Sequence, residues 1–361
     1  KTLLKTMCIV LGILILALLA YIVYLYASYY RIEDNQELVV EAPVDDTTTG
    51  AAAVLATDTE YSAVTYNIGF GAYLPDYSFF MDGGTSSWAE SPETVQYAIN
   101  GAGELVKSLD PDFALIQEID LDATRSYHTD EYEMLRNLLQ EYTTVFAQNY
   151  DSAFLFYPFT QPHGSSRAGL GLFSKYPVSS ALRRSFPIST SFSKFFDLDR
   201  CYSVSRIPVD NGKELVIFNL HMSAYGNSDE IRKGQIEMLC NDMAKEYEAG
   251  NYVLCGGDFN HDLKASEEDT ESCESWAFPF PRTELPEHFA FCLDLLSSEE
   301  QAALWNSARN ADMEYVPGVT YTVTLDGFII SDNIECLSYE NVNTGYSYSD
   351  HDPVKVEFAL K

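Results

Sequence analysis

An uncharged apolar run near the start of the chain constrains the fold more than any other feature. Residues 6–30, TMCIVLGILILALLAYIVYLYASYY, contain no charged side chain. As a helix with a rise of about 1.5 Å per residue, they would reach about 37 Å, more than the roughly 30 Å hydrocarbon core of a bilayer. Five tyrosines crowd the far end, where amphipathic rings favour the membrane interface. We therefore predict that residues 1–31 form a transmembrane signal anchor.

The charges around this run predict its orientation. Lys1 and Lys5 precede it, and acidic residues dominate after Arg31. The positive-inside rule then keeps the N-terminus in the cytoplasm. We predict a single-pass protein of the cell membrane with an extracytoplasmic domain. A cleaved signal peptide is the alternative, but the run exceeds the usual apolar core of about 7 to 15 residues and lacks a small-x-small cleavage site before Arg31.

Composition changes twice after the apolar run. Residues 32–60 carry acids, Thr and Ala with little apolar periodicity, which is typical of an acidic flexible linker, and only residues 37–44 could form a short ordered piece. Residues 61–361 are long enough for one large domain. They hold 19 bases and 46 acids, a net charge of −27. This acidity argues against a long basic groove for a nucleic-acid backbone without excluding one.

Within residues 61–361, short apolar runs of strand length alternate with helical periodicity. The predicted helices are residues 92–109, 130–141 and 228–248, with Ser91 and Ser228 as N-caps of the first and last. The predicted strands are YSAVTYNI, DFALIQEI, AGLGLFS, YVLCGGDF, LDGFIIS and PVKVEFAL. Residues 201–209 and 214–220 flank an Asp-Asn-Gly turn, which predicts a hairpin. The pattern indicates a mixed, partly antiparallel α/β domain.

Polar side chains follow several of these strands, where they can converge on one edge of a sheet. They are Asn67, Glu118, His221, Asp258 with Asn260, Asp326, and Asp350 with His351. A carboxylate that ends an apolar strand is costly unless water, a metal or a hydrogen bond meets it. Each one alone could be a turn residue or a solvated acid. Together they supply what the hydrolysis of a phosphate ester requires.

Four of these residues predict a metal and a general base. Glu118 and Asp350 offer hard oxygen ligands that can hold one Mg²⁺ or Mn²⁺, which would neutralise phosphate charge. Asp326 could orient and stabilise His351 as the base that activates water.

The other residues predict contacts to water and phosphate. Asp258 and Asn260, two apart on a tight turn, could position the attacking water and a phosphate oxygen. His221 could donate a hydrogen bond to the charge that develops on the phosphoryl oxygens.

In this order and spacing the residues resemble the endonuclease/exonuclease/phosphatase superfamily. The resemblance spans about residues 61–360, and GGDFN followed by SDHDPV is its most specific part. It implies an α/β fold, a four-layer αββα sandwich of two mixed sheets with the active site at one edge, here preceded by one N-terminal transmembrane helix.

The resemblance also implies roles for individual residues. Glu118, Asp350 and Asn67 would lie at the metal, and His221 resembles the phosphate-binding histidine of the deoxyribonuclease and sphingomyelinase branches. Asp258 and Asn260 match the GDFN pair, and Asp326 and His351 match the dyad. The family often has a Tyr or Arg between the Glu and His motifs, and Tyr150 and Arg167 are both open for that position.

One basic segment bears on substrate binding. Residues 167–206 hold seven bases and two acids, a net charge of +5. They could be a solvated face with internal salt bridges. The sharper hypothesis is a phosphate-binding surface formed by Arg167, Lys194 and Arg200, with aromatic residues stacking on the substrate: Phe192, Phe195, Phe196 and Tyr202. Arg125 in RSYH could likewise bind phosphate or only cap the next helix.

The sequence thus predicts a divalent-metal-dependent phosphoesterase on the outer face of a membrane. Its substrate could be a nucleic acid, or a phospholipid headgroup or other organophosphate, because the site reads the phosphate and leaves the rest to variable loops. A non-catalytic binding module is the remote alternative, and it would lack some metal or dyad positions. No protein partner is implied. The seven cysteines are widely spaced and predict structural thiols.

Overall fold

The structure is a computed structural model that describes residues 1–45, 54–195, 197–224, 229–266 and 276–361. Its α-helices are α1 (Thr2–Ser28), α2 (Pro92–Leu109), α3 (Glu131–Leu138), α4 (Asp229–Glu248) and α5 (Ser298–Ala303). Helix α1 has the length and composition of a membrane span, and nearly all of its apolar surface is exposed.

The strands form two large sheets and one short pair. They are β1 (Gln36–Glu37), β2 (Val40–Glu41), β3 (Glu60–Asn67), β4 (Phe113–Ala123), β5 (Thr143–Asp151), β6 (Ser166–Ser174), β7 (Ser180–Ser185), β8 (Cys201–Pro208), β9 (Glu214–His221), β10 (Tyr252–Asp258), β11 (Phe289–Phe291), β12 (Ala308–Arg309), β13 (Thr322–Val323), β14 (Asp326–Ser331), β15 (Ile334–Asn341) and β16 (Val354–Leu360).

Both large sheets are mixed. The first has the order β1-β7-β8-β9-β10-β14-β11, and the second has the order β15-β16-β3-β4-β6-β5-β2. In the first sheet β9 and β10 are parallel, in the second β3 and β4 are parallel, and the other neighbours are antiparallel. The carboxyl ends of these two parallel pairs hold the predicted site residues His221, Asp258 and Asn67.

The two sheets pack face to face with helices outside. The largest apolar cluster joins Leu115 of β4 to Phe218 of β9, and it also takes in Leu239 of α4. A second cluster lies between the other sheet and two helices, with Ile99 of α2 and Leu135 of α3. The order of layers is therefore helix, sheet, sheet, helix, which confirms the predicted αββα sandwich.

Most predicted elements are present. Helix α2 has the predicted bounds, and Ser91 caps it by accepting a hydrogen bond from the Thr94 N–H at 3.1 Å. The hairpin of β8 and β9 is confirmed. Helix α3 ends at Leu138, three residues early, because the chain leaves the helical conformation at Leu139 to enter β5. The predicted cap Ser228 lies outside the described residues.

The described residues of the predicted linker pack on the domain. Strand β1 pairs with β7 in the first sheet, and β2 pairs with β5 in the second. Residues 36–41 therefore add an edge to each sheet in turn, which accounts for order in a segment whose composition is typical of a flexible spacer. Residues 46–53 of that segment lie outside the described part of the chain.

Candidate active site

Three predicted site residues lie side by side at one edge of the first sheet. His221 pairs in register with Asp258 across the parallel strands β9 and β10, and Asp258 pairs with Asp326 across β10 and β14. The strand pairing alone therefore brings together residues that are more than 100 positions apart in the sequence.

The second sheet presents Asn67 and Glu118 at the same edge of the sandwich. Asn67 ends β3, and Glu118 lies in an irregularity of β4 where the pairing with β6 shifts register. Glu118 has a φ of 57°, a left-handed conformation that is uncommon for a side chain of this size. Bulges re-aim side chains next to active sites, and this one accompanies a Glu118 that lines a cavity.

Asn67 joins the acids of the two sheets. Its Nδ2 donates to Glu118 Oε1 at 3.3 Å and to Asp258 Oδ2 at 3.1 Å. Its Oδ1 accepts from the Gly69 N–H at 3.0 Å, which fixes the orientation of the amide. Asn67 therefore presents nitrogen, not oxygen, to the carboxylates. This geometry suits a residue that positions Glu118 and Asp258.

His351 and Asp326 form a buried hydrogen-bonded pair. His351 Nδ1 and Asp326 Oδ2 are 2.7 Å apart, and Ser307 Oγ donates to the same oxygen at 2.7 Å. Burial opposes protonation of His351, but Asp326 and Asp258 hold the pKa of the imidazole well above its usual range. His351 Nε2 points toward Asp258 Oδ2, 3.8 Å away. The imidazole is thus oriented by Asp326 with its other nitrogen free to meet a small molecule.

His221 has the opposite electrostatic environment. Its Nε2 lies 3.5 Å from Asp258 Oδ2 and 3.9 Å from Glu118 Oε1. Burial, together with nearby Arg200, lowers the pKa of His221 well below its usual value. The ring is therefore neutral at ordinary pH, and it can still donate a hydrogen bond from Nε2.

Asn260 follows Asp258 on a tight turn. Its N–H donates to Asp258 Oδ1 at 2.8 Å, and its Nδ2 donates to the Met222 carbonyl at 2.9 Å. The φ of 50° at Asn260 is left-handed, a conformation that asparagine tolerates better than most residues.

These residues surround a cavity of about 570 Å³, the central cavity. Six of the predicted catalytic and metal-binding residues line it: Glu118, His221, Asp258, Asn260, Asp350 and His351. Asn67 and Asp326 are buried and hydrogen-bond to its lining. Burial raises the pKa of Asp258 to about 7 and that of Asp350 to about 6. Both carboxyl groups are therefore buried without enough positive charge nearby to offset the loss of water.

The donor set fits a hard divalent cation. Glu118 and Asp350 both line the central cavity, and the negative charge of Glu118 adds to the raised pKa of Asp350. Asp258, Asp326 and His351 offer ligand atoms that all lie within 4.8 Å of one another. Asp326 Oδ1 is buried without a partner among the described residues. Carboxylate oxygens with uncompensated charge are what Mg²⁺ and Mn²⁺ bind.

The structure separates the three basic residues predicted to bind substrate. Arg200 is buried and lines the central cavity, and its Nε and Nη1 have no partner among the described residues. Arg167 instead pairs with Asp122 at 3.1 Å, and the Lys194 ammonium lies 4.6 Å from the ring centroid of Tyr29, the residue directly after α1. Only Arg200 of the three is placed to bind an anion in this cavity.

The segment 167–206 as a whole is therefore not a continuous phosphate-binding surface. Its other bases meet acids or backbone carbonyls of the domain: Lys175 with Asp110, Arg183 with the Gln148 carbonyl, Arg184 with Asp34, and Arg206 with Glu214. The aromatic residues also face elsewhere. Phe195 packs on Tyr26 of α1 and on Tyr29 directly after it, and Tyr202 packs on Phe186 in the core. Phe196 lies outside the described residues.

The sequence left the roles of some residues at the cavity undecided and did not predict others. Tyr150 and Arg125 both line it, and Arg125 donates to both oxygens of Asp120, at 2.8 and 3.1 Å, while lying 3.8 Å from the Phe70 ring centroid. Arg309 also lines the cavity and was not predicted. It follows no apolar strand, so it lacks the signal that identified the others. Ser307 was missed for the same reason.

Comparisons with known proteins agree with this architecture. The family model described as Endonuclease/Exonuclease/phosphatase family matches residues 64–295. Asp326, Asp350 and His351 lie beyond the matched stretch. No curated protein sequence gives a significant match.

Several solved structures share the fold. An endonuclease/exonuclease/phosphatase from Bacteroides vulgatus is 16% identical, with a TM-score of 0.55, and the match covers 84% of this chain and 100% of that one. TDP2 of D. rerio, complexed with a single-strand DNA product, is 13% identical with a TM-score of 0.55, over 84% and 100% of the two chains. ANGEL2, a 2′,3′-cyclic phosphatase in complex with adenosine-2′,3′-vanadate, is 12% identical with a TM-score of 0.56, over 83% and 96%.

Proposed function

The chain belongs to the endonuclease/exonuclease/phosphatase family, and from this premise we propose that it is a divalent-metal-dependent hydrolase of phosphate esters on the outer face of a membrane. The observation that carries the proposal is the convergence of three acids, two histidines and Asn260 on one cavity, with His351 hydrogen-bonded to Asp326 behind it. The fold neighbours named for a DNA product and for a cyclic phosphate support the ester class.

In the proposed reaction, His351 removes a proton from the attacking water. Asp326 fixes the imidazole through Nδ1 at 2.7 Å, so Nε2 faces the cavity, and the neutral ring accepts the proton there. Because the pKa of His351 is raised, the fraction of neutral ring, and with it turnover, should increase with pH. Asp326 then stabilises the imidazolium. The water oxygen bonds to phosphorus as the ester P–O bond breaks.

Asp258 and Asn260 hold the water and one phosphate oxygen in place. Asp258 is fixed by Asn67 and by the N–H of Asn260, so its carboxylate is positioned before the substrate arrives. His221, neutral in its buried position, donates from Nε2 to a phosphoryl oxygen as charge develops there. Arg200 contributes two buried N–H groups to the same anion.

Glu118 and Asp350, supported by Asn67, are the residues proposed to hold Mg²⁺ or Mn²⁺. A divalent cation there would neutralise phosphate charge and stabilise the leaving oxygen. The binding has a readout that is independent of turnover, since a ligand that binds only the folded state raises the Tm. We expect Mg²⁺ or Mn²⁺ to raise the Tm of the wild-type protein and to leave that of Glu118→Gln unchanged.

The proposed location follows from α1. Its length and apolarity suit a single membrane span, with Lys1 and Lys5 on the cytoplasmic side and the domain outside. The substrate is a nucleic acid, or a phospholipid headgroup or other organophosphate. A nuclease should lose affinity steeply as salt rises, whereas a hydrolase of small esters should not.

The test uses the full chain in detergent or nanodiscs, with Mg²⁺, with Mn²⁺ and with EDTA. Substrates are plasmid DNA, RNA, sphingomyelin, inositol phosphates and bis-p-nitrophenyl phosphate. We expect metal-dependent hydrolysis that His351→Ala abolishes. His288→Ala is the matched control, because His288 is exposed and pairs with Asp332 away from the cavity. Equal turnover of wild type and His351→Ala would overturn the proposed reaction.

A further inference from the structure

The outer end of α1 is attached to a loop of the domain. Tyr21 Oη donates to the Phe154 carbonyl at 3.2 Å, and the Phe154 N–H donates to Tyr24 Oη at 3.0 Å. The rings of Tyr21 and Phe156 meet edge to face at 5.1 Å. We call residues 154–159, FLFYPF, the aromatic loop. These contacts hold it at the level of Tyr21.

The apolar run that follows Lys5 sets the depth of that level. A bilayer core of roughly 30 Å takes about 20 helical residues. Twenty residues counted from Thr6, the first residue after Lys5, end at Leu25, four residues beyond Tyr21. Tyr21 also lies seven residues before Ser28, about 10 Å below the end of the helix. If α1 spans the membrane, Tyr21 and the aromatic loop therefore lie at the outer boundary of the hydrocarbon or inside it.

The aromatic loop exposes apolar rings, although a surface in contact with water is usually polar. Phe156 is 49% exposed, Tyr157 63% and Phe159 85%. Residues 152–162 contain no charged side chain, in a domain that is otherwise strongly acidic. Aromatic rings exposed without charge favour the membrane interface, and an acidic surface would be repelled by anionic headgroups.

The aromatic loop and the end of α1 lie against the central cavity. Tyr150 and Asp197 line that cavity on one side and a small cleft with Leu25 and Tyr29 on the other. The ring of Phe80 lies 5.8 Å from that of Tyr157 and 5.9 Å from that of His163, which lines the cavity. One layer of side chains therefore separates the site from the surface that meets the membrane.

We propose that the aromatic loop enters the outer interface of the membrane that α1 spans, so that the central cavity takes its phosphate ester from lipid headgroups. The inference rests on the proposed function for its chemistry. The insertion of the loop into the membrane does not rest on the proposed function, because it can be measured without turnover.

Insertion is tested with the full chain in phosphatidylcholine nanodiscs that contain lipids brominated near the headgroup end of the acyl chains. Phe159→Trp should lose fluorescence to the bromolipid. The matched control is Leu337→Trp, an exposed apolar site on β15 at the opposite edge of the second sheet from β5. Native tryptophans contribute equally to both variants. Equal quenching of the two variants, or none in Phe159→Trp, overturns the proposal.

Access to lipid is tested with Phe159→Ser, which lies outside the catalytic residues. We expect hydrolysis of sphingomyelin in the nanodisc to fall several-fold, with hydrolysis of soluble bis-p-nitrophenyl phosphate unchanged. A wild-type protein that cleaves the soluble ester but no lipid ester, or a variant that cleaves both as wild type does, overturns the proposal. If wild type cleaves neither ester, the proposed function fails, and the quenching experiment still decides the membrane surface.

Discussion

Two neighbouring regions of the molecule treat buried charge differently. One is the edge that holds the catalytic residues, and the other is the junction between α1 and the domain. Little more than Tyr150 and Asp197 separates them. At the catalytic edge, Arg200 and Asp326 keep buried polar atoms without partners among the described residues. At the junction, Asp199 Oδ1 also has no hydrogen-bond partner among the described residues, but its charge is paired with Arg31 at 3.4 Å, and Asp199 Oδ2 accepts from the Ile32 N–H at 2.5 Å.

The difference distinguishes a site held ready for a ligand from a surface whose charges are already paired. Buried polar atoms without partners cost free energy, and a protein tolerates them where a substrate or ion supplies the missing contact. Removing a charge from the catalytic edge should therefore affect turnover more than stability. Changes at the junction should alter how the domain sits on α1 and leave the chemistry intact.

The largest expected effect is at Asp258. We expect Asp258→Asn to reduce kcat by about 10²- to 10⁴-fold, the range typical of groups that position or transfer protons. The Tm should stay the same or rise, because a buried carboxylate repelled by Asp326 is removed. Steady-state kinetics and calorimetry on the full chain provide the measurement.

The control for this change is Asp332→Asn, an exposed acid that binds His288 and Tyr247 far from the cavity. It should keep wild-type kcat. A variant at Asp258 with normal turnover, or one that loses turnover only because it unfolds, would contradict the distinction between the two regions.

The next effect separates two bases of the same segment. Arg200→Ala should raise KM by about 10- to 100-fold, since a hydrogen bond to a charged group contributes about 1.5 to 3 kcal/mol. Lys194→Ala should leave the KM for a soluble ester unchanged, because its ammonium lies over the ring of Tyr29 at the end of α1 and not in the cavity. Initial rates with bis-p-nitrophenyl phosphate measure both. An equal rise in both variants would restore segment 167–206 as one phosphate-binding surface.

The same comparison explains how much the sequence could predict. Five site residues were identifiable because each is a polar residue at or near the end of an apolar strand, where burial costs free energy unless a partner compensates it. They are Asn67, Glu118, His221, Asp258 and Asp326. Parallel and antiparallel pairing then had to bring them to one edge. Arg309 and Ser307 carry no such signal, since neither follows an apolar strand and their place in the site depends on the loops around β12.

The junction was hidden for a different physical reason. The segment 32–45 looks like a spacer in composition, with residues 37–44 as the one piece that could be ordered, and its pairing with β7 and β5 is not visible in the sequence. Lys194 and Phe195 read as candidates for binding substrate because a basic and aromatic segment suits phosphate and bases equally well. Their contacts are with Tyr29, about 165 residues earlier in the chain, and local sequence carries no information about so distant a partner.

A smaller effect is expected from Ser307, which touches the cavity only through Asp326. Its hydroxyl donates to Asp326 Oδ2 at 2.7 Å and accepts from the Asp326 N–H at 3.1 Å. Ser307→Ala should lower kcat by about fivefold, the equivalent of one hydrogen bond of about 1 kcal/mol, with KM unchanged. Ser307→Thr should restore much of the rate, and Ser108→Ala on α2 is the control. A change in KM alone would show that Ser307 does not act through Asp326.

The smallest effect on turnover, and the most direct test of the junction, is expected from Leu25. This side chain is 1% exposed, buried between Leu155 and Phe195, whereas Leu18 on the same helix is 58% exposed. In nanodiscs, Leu25→Ala should speed trypsin cleavage after Arg31, because weaker packing of α1 also loosens the Arg31 contacts with Asp199 and the Phe186 carbonyl. Leu18→Ala should cleave as wild type, and both variants should hydrolyse a soluble ester at the wild-type rate. Equal cleavage in the two variants would mean that α1 is not packed on the domain, and the depth of the aromatic loop would then no longer follow from the length of the helix.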